Sequence, residues 1–86
     1  MTKLEKKLIE LGYEKYHKYA YKKDFGLKFS IWIVLKANNL NILNNWVSVG
    51  AFYPIRTQQD IDDLQQAFNV MQKDLEVLKE YEESNN

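Results

Sequence analysis

Eighty-six residues, with twelve basic and twelve acidic side chains, one histidine and no cysteine, bound the problem at once. A disulfide framework and thiolate chemistry are excluded, a structural zinc site nearly so, and no apolar run reaches the length of a membrane span. One small α+β domain is expected, with a core supplying about 3–5 kcal/mol, in a reducing, cytoplasmic setting because no apolar secretory run opens the chain.

The charges are segregated. Residues 1–36 hold nine Lys against four acids, whereas residues 57–86 hold two Lys against eight acids. Complementary halves of one fold account for this, as do two surface patches of opposite sign.

Residues 2–11 read as a first helix. Leu4, Leu8 and Leu11 share a face, Glu5 and the lysines face water, Thr2 caps the start and Gly12 ends it in a left-handed turn. Residues 16–22 read as a first strand, followed by a Lys23-Asp24 turn. Phe25 to Lys36 alternates cleanly, with Phe25, Leu27, Phe29, Ile31, Ile33 and Leu35 on one face. Asn38 and Asn39 mark a hairpin, since Asn tolerates positive φ.

Strand parity decides its register. A two-residue loop would set Ile33 against Asn44 and Phe29 against Ser48, burying polar groups among aliphatics. A three-residue loop instead pairs Leu35 with Leu43, Ile31 with Val47, Phe29 with Val49 and Leu27 with Ala51. It also sets Trp32 opposite Trp46 and Ser30 opposite Ser48 on the outer face. The second register is the prediction, with the third strand running from about Asn41 to Tyr53.

Thr57 and Asp60 signal a helix start. Ile61, Leu64, Phe68, Met71, Leu75 and Leu78 then recur every three or four residues, one stripe of a helix reaching Glu83. The same stripe fits a heptad, but Phe68 makes a poor seam and the sheet needs a cover. At roughly 40 Å its end should overhang or fray, and Ser84, Asn85 and Asn86 should be loose. The expected architecture is an α-β-β-β-α two-layer sandwich: a three-stranded antiparallel sheet with both helices on one face.

That arrangement leaves Trp32, Trp46, Phe52 and, on the first strand, Tyr19 and Tyr21 on a face no helix covers, with Lys28 nearby. Trp and Tyr are the side chains most common at the energetic centre of interfaces. The expected occupant is a protein partner or a second copy packed sheet to sheet. Glu80, Glu82 and Glu83 repel the helix dipole at their end, so a basic contact would suit Glu80 and Glu83.

Other chemistry is weakly signalled. Lys18, Lys22, Lys28 and Lys36 beside aromatics invite single-stranded nucleic acid. Against it stand a single Arg, zero net charge and no RNP-like pattern. Lys18, Lys22 and Arg56 could pair with the phosphates of a nucleotide-like signal stacked on an aromatic ring. His17 lacks an orienting carboxylate, Ser30 and Ser48 lack an elbow, and Asp60, Asp62 and Asp63 lack a calcium loop. Gly12, Gly26 and Gly50 are isolated, so nothing cradles a phosphate. No catalytic, cofactor or metal residues are therefore assigned.

Two stretches carry a resemblance: Leu11-Gly12-Tyr13-Glu14-Lys15, and Tyr53-Pro54-Ile55-Arg56-Thr57 running on through Asp60-Ile61-Asp62-Asp63-Leu64 to Phe68. Both are similar to short accessory proteins of phages and prophages in AT-rich Gram-positive bacteria. The matching motifs are a helix end and a capped helix start, so no site residues follow from them. The resemblance implies a bacterial host cell, action by stoichiometric binding to a host protein, and inhibition of a host defence system as a common outcome.

Overall fold

The computed structural model describes residues 1–83; Ser84, Asn85 and Asn86 lie outside the described residues. Helix α1 spans Lys3–Glu10, strands β1 to β4 span Glu14–Lys15, Ala20–Phe25, Phe29–Leu35 and Ile42–Val49, and helix α2 spans Gln58–Lys79. The strands form one antiparallel meander in the order β1-β2-β3-β4. The α+β class is as expected, with four strands rather than three. The extra strand is a two-residue pairing of Glu14 with Lys22 and Lys15 with Tyr21, too short to leave an alternation in the sequence.

The first strand also starts later than expected. Residues 16–19 make a tight turn, with the Tyr16 and His17 N–H groups both donating to the Ala20 carbonyl. Lys23 and Asp24, expected to turn, pair with Ile31 and Ser30. The turn falls instead at residues 26–28, where Gly26 takes φ of 66° at no steric cost. Leu27 is consequently 89% exposed at the hairpin tip, not part of the core face.

The β3–β4 register is the one that parity selects. Phe29 lies opposite Val49, Ile31 opposite Val47, Trp32 opposite Trp46 and Ser30 opposite Ser48. Asn39 takes φ of 56° in the connection. Two ends of this pairing differ from expectation. A bulge places Leu35 against Ile42, which turns Leu43 outward, and β4 stops at Val49 because Tyr53 N–H closes a turn onto the Gly50 carbonyl.

Both helices start in a capping box: Thr2 with Glu5, and Thr57 with Asp60. Glu5, expected to face water, is buried. Its carboxylate accepts from the Thr2 N–H at 3.0 Å and from the Tyr21 hydroxyl at 2.9 Å, with the Lys15 ammonium 3.9 Å away. The Thr2 N–H bond is the main reason its carboxyl is held below the ordinary value. The Thr2 hydroxyl donates to the Asn39 carbonyl, so α1 is pinned near the β3–β4 hairpin.

The core consists of Leu4, Leu8, Tyr13, Tyr21, Ile31, Ile33, Leu35, Met71, Leu75 and Leu78. On α2 the buried set is Asp60, Ala67, Met71, Asp74, Leu75 and Leu78, while Ile61 and Phe68 are exposed, contrary to the stripe reading. The helix is rolled by about half of one residue's angular step, so that Asp60 and Ala67 take the places of Ile61 and Phe68 while Met71, Leu75 and Leu78 stay buried. Its first turn is fixed by Asp60, whose carboxylate pairs with the Lys28 ammonium and accepts from the Arg56 and Thr57 N–H groups. Lys28, then those N–H groups, hold this carboxyl well below the usual range. A roll that buried Ile61 and Phe68 would carry Asp60 away from the Lys28 ammonium, while the Arg56 and Thr57 N–H bonds, local to the cap, would turn with the helix.

The C-terminal end does not overhang. α2 stops at Lys79, and the chain turns back so that Glu83 N–H donates to the Leu40 carbonyl and Glu82 accepts from Ile42 N–H.

Two tyrosines give the core a pH signature. Burial first, then a hydrogen bond to Glu5, pushes the Tyr21 hydroxyl up to about 12; burial and Asp74 raise Tyr13 further. A folded-state pKa above the unfolded value near 10 contributes stability that is complete below pH 10. It is lost as pH rises through about 12. Titrating absorbance at 295 nm alongside circular dichroism should show these two rings ionising only as the fold is lost. Ionisation of all six tyrosines by pH about 10.5 in a folded chain would contradict this.

Candidate functional site: the aromatic row on the open sheet face

Strand parity alone decides which side chains leave the core. Alternation sends Ser30, Trp32 and Val34 of β3 opposite to Phe29, Ile31 and Ile33. Their cross-strand partners Asn44, Trp46 and Ser48 follow, as do Ala20, Lys22 and Asp24 of β2. Both helices lie on the other face, where Tyr21, the β3 isoleucines and α2 share one core.

Three rings make a row across this open face. Trp32 and Trp46 stack with centroids 5.9 Å apart and planes 10° from parallel. Tyr16, delivered by the tight turn after β1, meets Trp32 edge-on at 5.0 Å, and His17 meets Tyr16 at 5.3 Å. The Lys22 ammonium sits 5.9 Å from both the Tyr16 and Trp32 centroids. Trp32 Nε1–H donates to the Ser48 hydroxyl at 3.0 Å, which fixes the indole's rotation. Side-by-side stacking makes each indole's neighbour the next strand's indole. One face of Trp32 is covered by Trp46, and the ring is half-buried; Trp46 remains 39% exposed at the β4 side.

The expected site residues are therefore only partly gathered. Trp32 and Trp46 meet on the open face. Tyr21 is in the core, fully buried and bonded to Glu5, because the first strand begins at Ala20 and its parity inverts the expected one. Tyr19, two residues upstream, is half-buried, with the Lys18 ammonium 5.3 Å from its ring. Phe52 is 91% exposed but sits in the connection after β4. Lys28 lies in the β2–β3 turn, committed to Asp60. Glu80 caps α2 and Glu83 follows it, in the layer behind the sheet. Tyr16 and Lys22 are the members that sequence reading left out. Lys22 was counted only as a basic neighbour, and Tyr16 depends on a turn that leaves no periodic signal.

A second concavity lies at the opposite end from the β3–β4 hairpin. A cavity of about 340 Å³ is lined by Phe25, Gly26, Leu27, Lys28, Phe29 and Asp63. It exists because α1 covers only the far half of the sheet. Among the described residues no cluster of three or more His, Cys, Asp or Glu could hold a metal ion, and no helix is long and apolar enough to cross a membrane. Comparison with protein-family models, with curated proteins and with solved structures gave no match.

Proposed function

We propose that the chain is a non-catalytic binding protein that seats a protein partner on the Tyr16–Trp32–Trp46 row and acts stoichiometrically. The observation that carries this reading is the row itself: three clustered rings, held by packing and one hydrogen bond, on the face without helices. Asn44, Ser30, Ser48 and Lys22 surround it, which reproduces the aromatic centre and polar rim of protein interfaces. The resemblance to phage accessory proteins supplies the context: a host protein as partner, the bacterial cytoplasm as location, and inhibition of a host defence component as outcome. A homodimer packed sheet to sheet would compete with that partner for the same rings.

The geometry favours protein over nucleotide or single-stranded nucleic acid. Bases stack on free ring faces. Here Trp32 is occupied by Trp46 and met by Tyr16. The cations available for phosphate do not converge either. Lys22 lies over the row, Lys18 over Tyr19, and Arg56 in the connection leading to α2.

Capture from host cells tests the proposal. Wild-type protein should retain one host protein in near-stoichiometric amount. Trp32→Ala, folded by circular dichroism, should weaken that complex by at least about 2 kcal/mol, or roughly thirtyfold. A folded Trp32→Ala chain binding as tightly as wild type would refute the assignment.

A further inference from the structure

The two edges of the sheet are not alike. β1 offers two residues, Glu14 and Lys15, both charged and both exposed. β4 is eight residues long and carries no charge: Ile42, Leu43, Asn44, Asn45, Trp46, Val47, Ser48, Val49. Natural edge strands are usually shortened or charged against unwanted pairing, as β1 is and β4 is not.

The hydrogen bonding of β4 shows which part of that edge is free. Gly50 N–H donates to the Lys28 carbonyl. Counting back by two, Ser48, Trp46 and Asn44 turn their N–H groups toward β3, and Val49, Val47 and Asn45 turn theirs outward. The Asn45 N–H is already satisfied by Asn44 Oδ1 at 2.8 Å, and at the strand start Ile42 N–H is taken by Glu82. The first half of the edge is thus closed by side chains. The second half, at Val47 and Val49, has no such cap among the described residues.

An apolar strip runs beside the uncapped half. Asp74 reaches Lys23 on β2, so the flank of α2 a third of a turn away, bearing Phe68 and Ile61, overlooks β4. Phe68 is 40% exposed, Ile61 51% and Val49 40%. The helix positions alongside, Gln65 and Gln72, are neutral amides.

We propose that this edge is the contact between two copies of the chain, paired antiparallel about a two-fold axis at Val47. In that register each Val47 N–H donates to the partner copy's carbonyl at the same position. Each Val49 N–H donates to the carbonyl at position 45 across the axis. Both uncapped donors are satisfied, and the Asn44 cap on Asn45 stays intact. A two-fold antiparallel pairing is isologous by construction, and a neutral strip of valines, Asn and Gln amides complements itself. A charged partner strand would find nothing to pair with. The two α2 flanks then approach across the axis and cover Phe68 and Ile61, while the aromatic rows join into one continuous band on the opposite face. About a dozen residues a side is at the small end of specific interfaces, so a dimer dissociating in the micromolar range is expected. The contact stands apart from the Trp32 site and does not require it.

Sedimentation equilibrium from about 5 to 500 µM should show the 10.3 kDa chain passing to twice that mass. Amide exchange at Val47 and Val49 should slow with concentration, while that at Asn45 changes little. Val47→Pro removes an outward N–H, which an edge strand tolerates, and should leave a folded monomer. Val49→Lys places two charges at the seam and should weaken the dimer at least tenfold without touching the backbone. A monomeric wild type at 500 µM, or a dimer unchanged in both folded variants, overturns the proposal. So does a dimer that Trp32→Ala abolishes and Val49→Lys spares, because that result places the contact sheet to sheet. Loss of host-partner binding in Trp32→Ala with the dimer retained separates this contact from the partner site.

Discussion

Replacing Ile33 with alanine should leave a large share of the molecules unfolded at 25 °C. Ile33 is fully buried on the central strand, between Tyr21 of β2 and Asn45 of β4, within the cluster that joins α1, the sheet and the second half of α2. Removing three buried carbons costs about 2–5 kcal/mol, the range depending on how far the site collapses. The whole core of so small a chain supplies about 3–5 kcal/mol. The two numbers nearly cancel, so the urea midpoint should fall close to zero. Ile33→Val should cost only about 1 kcal/mol and remain folded. Ile61→Ala is the informative control: the periodicity of α2 makes it look equally buried, yet it is half exposed. It should change stability by less than about 0.5 kcal/mol. Urea unfolding followed by tryptophan fluorescence and by circular dichroism reads all three. An Ile33→Ala chain within about 1 kcal/mol of wild type would mean that the core is centred elsewhere.

The contrast between Ile33 and Ile61 shows what was legible in the sequence. Where a residue's face is fixed by period-two alternation along an uninterrupted strand, parity was enough: Ile31, Ile33 and the Trp32–Trp46 pair all fall where alternation puts them. The register could be chosen because a slip of one residue would have buried Asn44 and Ser48. The helices were readable as helices because each carries a Thr cap and an acid three residues on. Their rotation was not readable, because it depends on ion pairs made across long sequence separations. Lys28 to Asp60 rolls the first turn of α2; the Thr57 cap sets Asp60 apart from Asp62 and Asp63, but nothing local names the lysine across the fold that it pairs with. The same holds for Glu5: its capping place after Thr2 is local, but its burial waits on Tyr21 and Lys15 being folded over it. The candidate site was half legible for the same reasons. Its tryptophans are strand residues with parity, whereas Tyr16 is delivered by a turn with none. Tyr21 was misplaced because the first strand's start, and therefore its parity, was set by the β1 pairing.

Long-range polar contacts of that kind also identify the second large effect. Asp74→Ala should cost about 2–3 kcal/mol, more than the loss of any carboxylate on the exposed side of α2. Asp74 Oδ2 accepts from the Tyr13 hydroxyl at 2.8 Å and pairs with the Lys23 ammonium at 2.9 Å. One oxygen therefore ties α2 to β2 and to the segment after α1. Alanine strands both partners. Tyr13 is only 2% exposed, so its hydroxyl has no water to turn to, while Lys23 keeps partial access to solvent and recovers some of its hydration. Most of the cost should thus come from the tyrosine. Asp74→Asn, which keeps an acceptor and discards the charge, should cost about 1 kcal/mol. Tyr13→Phe should cost about as little, because it removes the donor and leaves the Lys23–Asp74 pair standing. The double variant Tyr13→Phe, Asp74→Ala should then be more stable than the sum of its parts by about 1 kcal/mol, since no buried hydroxyl remains without a partner. Additive losses in that cycle, or an Asp74→Ala chain no weaker than Asp62→Ala, would show that Asp74 is spectator to packing that apolar contacts already determine.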